Sequence, residues 1–306
     1  MLTAIFQYSG DNFIICVPIF CVWERIVKFE PPPLKGGVSV NIIKFMKTYP
    51  PLPKSFKNRY SFKLGTTSFI YPDLYIPNVK MLGPYLDEIE LLMFESTWPD
   101  SLPAESDIEA LRRLGEDLKL TYNIHLPTDV SLADEDAAAR NRAAETLNKF
   151  ILRTAPLNPS AYALHIPFTP IPDINIWQDR VAGSLNKLLP SIDNTRRVAV
   201  ETLDYPFEKI KPFIKQFDLS VCMDIGHLII HKVDINLFFE EYADRIPLIH
   251  LHGVRNGKDH IALDSLSSEH IVSIVNILKD FKGVVSLEVF SYKHLMPSLA
   301  FLETII

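Results

Sequence analysis

Ser220-Val221-Cys222-Met223-Asp224-Ile225-Gly226-His227 is the stretch from which the fold can be read. A short apolar run ends on a carboxylate, turns through Gly226 and brings a histidine back beside it. A segment of helical periodicity, residues 235–242, follows. The same unit recurs along the chain. Apolar, β-prone runs lie at residues 62–67, 87–93, 121–125, 161–166, 198–201, 248–252 and 284–290. Amphipathic stretches of helix length stand between them, at 105–118, 135–153, 176–189 and 268–281. Strands alternating with helices build parallel βαβ units, and eight units between residues 62 and 306 predict a (β/α)8 TIM barrel. An open doubly wound sheet is the alternative. No glycine-rich phosphate loop follows any of these runs, which weighs against a nucleotide-binding version of it.

The remainder of the 306 residues sets limits on class. Hydrophobic residues make up 47% and charged residues 22%, a globular composition that excludes a largely disordered chain. The net charge of -6 gives no basic footprint for nucleic acid, so nucleic acid is a disfavoured partner. Cys16, Cys21 and Cys222 form no disulfide or metal framework and suit a reducing cytoplasm. The apolar run at residues 13–23 contains Pro18 and is too short for a hydrocarbon layer of about 30 Å. A soluble cytoplasmic protein without membrane attachment is expected.

Composition changes near residue 60. Upstream lie Pro31-Pro32-Pro33, Gly36-Gly37 and Pro50-Pro51-Leu52-Pro53. Prolines remove backbone donors and fix φ, so residues 1–60 read as a poorly ordered extension, or as an overlong start ahead of Met46. Residues 61–306 form the barrel, and deletion of the extension is expected to leave activity intact.

Barrel chemistry sits at the C-terminal ends of the strands. Of nine histidines, six lie at or just past such an end: His125, His165, His227, His250, His252 and His260. Glu201, Asp224 and Glu288 join them. One histidine on an apolar strand is ordinarily a packed core residue; six with three carboxylates are the donor set that Zn, Mn or Fe prefers. Prolines two residues after His125 and His165 stop the strand and leave the ring at the opening. His250 and His252 share one face of their strand, as two ligands or as ligand and support. Asp224 with His227 has a purely structural reading, a helix cap beside a packed ring. Glu90 and Glu95 are weaker candidates, and Cys222 reads as core. The acid run 134–136 reads as the first turn of a helix. Ser68 lies in no Gly-x-Ser-x-Gly elbow, which argues against a serine nucleophile.

The order His, His, Glu, Asp-x-x-His, His, His, Glu resembles the xylose isomerase-like barrel superfamily, and within it the endonuclease IV (AP endonuclease 2) branch. The resemblance implies a multinuclear site of two or three divalent cations, Zn or Mn, that hydrolyses a phosphodiester. His125 and His165 would hold one cation, with Glu201 bridging to a second held by Asp224, His250 and Glu288. His227 and His260 would hold a third with a nearby Asp. The branch spaces that Asp and His by one residue, whereas Asp259 and His260 are adjacent here. Glu201, Glu288 and His252 are the candidate catalytic groups.

Longer segments are similar to the cobamide-remodelling phosphodiesterases: Leu64-Gly65-Thr66-Thr67-Ser68-Phe69-Ile70-Tyr71-Pro72, Glu201-Thr202-Leu203-Asp204-Tyr205-Pro206, His250-Leu251-His252-Gly253-Val254 and Val285-Ser286-Leu287-Glu288-Val289-Phe290-Ser291. That likeness implies cleavage of the nucleotide-loop phosphoester of a cobamide, giving cobinamide phosphate and the lower-ligand riboside. Two alternatives stand beside it. One is a sugar isomerase or epimerase using a single Mn-type ion on Glu201, Asp224, His250 and Glu288, with two glutamates as acid and base. The other is a DNA repair enzyme of the endonuclease IV kind. A non-catalytic corrinoid- or sugar-binding barrel fits the intact donor set poorly.

Overall fold

The computed structural model describes residues 48–306. Eight parallel strands close a barrel: β1 (Lys63–Thr67), β2 (Glu88–Leu92), β3 (Thr121–His125), β4 (Tyr162–Leu164), β5 (Val198–Glu201), β6 (Ser220–Asp224), β7 (Leu248–Leu251) and β10 (Val284–Leu287). β10 closes on β1, with Thr66 opposite Leu287. A two-stranded antiparallel hairpin, β8 (Gly253–Arg255) and β9 (Lys258–Ile261), stands outside the barrel sheet. Helices cover the outside: α1 (Tyr75–Leu82), α2 (Glu105–Leu118), α3 (Ala137–Thr154), α4 (Ile174–Leu188), α5 (Lys211–Gln216), α6 (Ile225–Ile230), α7 (Ile235–Tyr242), α8 (Ser268–Asp280) and α9 (Tyr292–Ile305). The fold is the expected (β/α)8 TIM barrel.

Burial explains why the strands read as near-continuous apolar runs. Every residue of β2 and of β6 is buried, because helices cover one face and the barrel interior the other. Ala163, Ala199, Cys222, Leu248 and Val284 pack together as one cluster. Side chains alternate along a strand, so Ala199, Cys222 and Leu248 lie one layer beneath Glu201, Asp224 and His250. Small residues fill the shaft and polar ones crown it. The acid run before α3 is a cap, as expected: Asp136 accepts from the N–H groups of Ala138 and Ala139. Among the described residues no helix is long and apolar enough to cross a membrane.

The boundary at residue 60 needs correction. Residues 48–60 pack along the outside of the barrel and belong to the same compact unit, Thr48–Ile306. Leu52 and Phe56 are each 2% exposed. Tyr71 Oη donates to Pro50 O at 2.6 Å, and Tyr292 Oη to Pro51 O at 3.0 Å. Further along, Phe56 N–H donates to Tyr85 O, and Lys57 Nζ donates to Leu118 O at the end of α2. The prolines that suggest a linker here fix an extended strap whose carbonyls are used by neighbouring tyrosines. The rest of the expected extension, including Cys16 and Cys21, lies outside the described residues. Deletion through residue 60 is therefore expected to damage the barrel. Phe56→Ala alone should cost about 3–5 kcal/mol, the usual range for emptying a buried aromatic site. Urea unfolding checks this; a loss under about 1 kcal/mol would show that the strap is not part of the core.

Candidate metal centre

Strands that run parallel around a barrel present all their C-terminal ends on one rim. His125, Glu201 and Asp224 are the last residues of β3, β5 and β6. His165, His252 and Glu288 each follow a strand, and His250 lies within β7. His227 comes from α6 and His260 from β9. His125, Glu201, Asp224, His250, His252 and Glu288 are all buried, and His165, His227 and His260 half-buried.

Their ligand atoms converge in three main sets, within 4.8 Å of one another in each: His125, His165 and Glu201; Glu201, Asp224, His250 and Glu288; and His227, His252 and His260. Glu201 belongs to the first two. Nε2 of His125 and of His165 lie 3.2 and 3.0 Å from Glu201 Oε2. Two ligands on one tetrahedral Zn ion stand about 3.3 Å apart, so this spacing suits a shared cation. His250 Nδ1 is 3.1 Å from Glu288 Oε2 and 3.6 Å from Glu201 Oε2.

Backbone carbonyls aim the rings. Nδ1 of His125 lies 3.0 Å from Leu126 O, that of His227 3.0 Å from Thr202 O, and that of His260 3.1 Å from Glu288 O. A carbonyl only accepts, so in the neutral ring each Nδ1 carries the proton and each Nε2 has the lone pair that a cation at the rim would take. His252 differs. Its Nδ1 accepts from His260 N–H at 3.0 Å, while Nε2 faces both Asp224 oxygens at 3.1 and 3.2 Å. His260 itself holds a left-handed backbone (φ 48°), uncommon for a non-glycine residue and a mark of a functional constraint.

The electrostatics favour a cation. Burial pushes the Glu201 carboxyl up, but the imidazoles of His165, His250 and His125 outweigh it and hold it well below the usual carboxylate range. Glu288 is likewise held far down against burial, by His250 and His260. Asp224 is lowered too, its burial overcome by His252 and His227. His227 is pushed up to about 9: burial opposes this, and Asp224, Glu201 and Glu288 prevail. Three buried carboxylates are thus ionised at neutral pH. His250 Nδ1 and Glu288 Oε2 face each other at 3.1 Å, buried and without an aligned hydrogen bond. Such atoms are costly to bury, and a divalent cation between them would satisfy them. The donor set of imidazole and carboxylate fits Zn or Mn.

The structure thus gathers every expected donor and adds detail. Asp224 is both cap and rim group, because its Oδ1 accepts from His227 N–H at 2.7 Å. His252, not Asp259, stands beside His227 and His260. Among the described residues Glu95 joins no donor set, whereas Glu90 is fully buried against His250. Cys222 packs as core, although its sulfur also lies within 4.8 Å of the Glu201 and His250 donor atoms. Two supports escaped sequence reasoning. Thr202 Oγ1 accepts from Asp224 N–H at 2.9 Å, and His294 Nδ1 reaches His260 O at 3.3 Å. Thr202 directly follows a candidate ligand, and that adjacency was the available signal.

Gly226 is needed where it stands. A Cβ there would fall 2.0–2.6 Å from ring atoms of His252. Gly226→Ala should push that ring off Asp224, lower stability by about 1–3 kcal/mol and weaken cation uptake. Denaturation of the metal-free variant with calorimetric metal titration checks it; wild-type values in both would dismiss the packing argument.

The chain belongs to the xylose isomerase-like TIM barrel family, whose model matches residues 79–305. Among solved structures it is similar to a D-tagatose 3-epimerase-like protein (16% identity, 80% of this chain and 97% of that one, TM-score 0.69). It is also similar to 3-keto-D-glucoside 4-epimerase from E. coli (14%, 79% and 99%, 0.62) and to endonuclease IV from Thermus thermophilus (18%, 79% and 99%, 0.61). At these identities the likeness is one of fold. No curated protein matches the sequence.

Proposed function

We propose that this chain is a metal-dependent phosphodiesterase acting on a small molecule of the cobamide class. The observation that carries the reading is the pair His125 and His165, both facing Glu201 Oε2. Glu201, Asp224, His250 and Glu288 already supply four donors for one cation, so the two further imidazoles make sense as part of a second position. His227 and His260, with His252 beside them, would offer donors for a third. Zn or Mn ions held by these residues would offset the charge of a phosphodiester and activate water.

The residues divide the remaining work. Glu201, ionised and shared by two donor sets, orients the attacking water by accepting its hydrogen bond. Water adds to phosphorus, the P–O bond to the riboside breaks, and the leaving oxygen takes a proton. Glu288 and His252 line the same rim and are the groups available to move that proton. Phe94 stands edge-on to His125 at 4.6 Å and Phe290 lies 4.9 Å from His260. These half-buried rings suit an aromatic lower ligand. The choice of a cobamide rests on the similarity of the segments around Glu201, His250 and Glu288, and the net charge of -6 disfavours DNA.

A sugar isomerase or epimerase with one Mn-type ion is the second reading, favoured by the completeness of the four-donor set on its own. Incubating the protein with adenosylcobalamin and Zn or Mn, and reading products by mass, separates the two. Cobinamide phosphate and riboside, with two or three ions per chain, are expected. A single ion with sugar epimerisation and intact cobamide would overturn the phosphodiesterase.

A further inference from the structure

We infer that Glu90 is a positioning residue that selects Nδ1 of His250 as the cation-facing nitrogen, the reverse of His125, His227 and His260. The inference rests on the reading that a divalent cation is held by Glu201, Asp224, His250 and Glu288.

His250 lies in the barrel interior with carboxylates on both sides. On the Nδ1 side stand Glu288 and Glu201, members of the donor set. On the Nε2 side stands Glu90 Oε1, at 2.9 Å. Glu90 belongs to none of the donor sets and is 0% exposed. Its other oxygen accepts from Ser286 Oγ at 2.6 Å, which comes from the strand paired with His250 and is also fully buried. One ring carries one lone pair when neutral, so the nitrogen beside the outlying carboxylate keeps the proton and the other serves the cation. The rim histidines are aimed by neutral carbonyls. His250 is backed instead by a carboxylate outside the donor sets, which raises the basicity of the ligating nitrogen and binds the cation more tightly. An isolated carboxylate this deep is otherwise costly, and it has a single hydrogen-bond donor.

The test uses the full chain. Zn titrations by competition with a chromophoric chelator are made on wild type, Glu90→Gln and Ser286→Ala, with the fold monitored by circular dichroism. Glu90→Gln should weaken one Zn of the set by about 10- to 100-fold and leave the others unchanged. Ser286→Ala, which only loosens Glu90, should weaken the same Zn by less, and it serves as the readout if Glu90→Gln does not fold. Long-range 1H–15N spectra of the Zn-loaded wild type should show His250 protonated on Nε2, and His125, His227 and His260 on Nδ1. Wild-type Zn affinity in the folded variants, or a His250 protonated on Nδ1, would overturn the role of Glu90 alone. A wild type that binds no Zn overturns the metal reading, and this inference with it.

Discussion

Replacing Glu201 with Gln will remove at least one cation and slow phosphodiester hydrolysis by a factor on the order of 10² or more. The amide keeps the shape of the carboxylate and loses the charge. That charge is present at neutral pH, since neighbouring imidazoles hold the Glu201 carboxyl well below its usual range despite burial. Glu201 Oε2 faces His125 and His165, and the same carboxylate completes the set of Asp224, His250 and Glu288. One substitution therefore weakens two positions. The fold should survive, because the adjacent imidazoles can shed protons and become neutral. Metal content by elemental analysis and turnover on a cobamide are the measurements. Full occupancy with normal turnover would end the bridging role.

Changing His125 or His165 to Asn separates hydrolase from isomerase within one molecule. Each variant should lose about one ion, and the double variant no more than that, because both rings serve one position. Their rings lie 4.8 Å apart against the same carboxylate oxygen. Hydrolysis of a cobamide or simple bis-ester should fall by a factor on the order of 10² or more, with the four-donor position retained at weaker affinity. If both variants keep every ion and only raise KM for a sugar, the histidines are substrate contacts and the hydrolase assignment falls.

Much of this was legible in the residues. Residues 121–125, 198–201 and 220–224 are strands and 105–118 and 235–242 helices with the expected bounds. Elsewhere apolar runs overshoot. β7 stops at Leu251 and β10 at Leu287, yet Val289 is fully buried. Rim loops pack inward after the ladder of hydrogen bonds has ended, so hydrophobicity outlasts the strand. The β8–β9 hairpin had a signal of its own, Asn256-Gly257, both left-handed in the structure (φ 53° and 72°). Which histidine nitrogen faces inward could not be read from sequence, because it depends on carbonyls of other segments such as Thr202 and Glu288. The strap before residue 61 was misread for a related reason: proline content reports backbone stiffness, not whether Leu52 and Phe56 find a pocket.

The direction of α9 has a practical corollary for handling the protein. Strands end at the rim, so the helix after β10 starts there and runs back toward the opposite side of the barrel. Ile306, after the end of that helix and 44% exposed, lies away from the donor residues. A surface, tag or fluorophore joined through Ile306 leaves the rim open to solution, whereas the same attachment beside Pro50 and Pro51, which Tyr71 and Tyr292 hold, would sit at its edge.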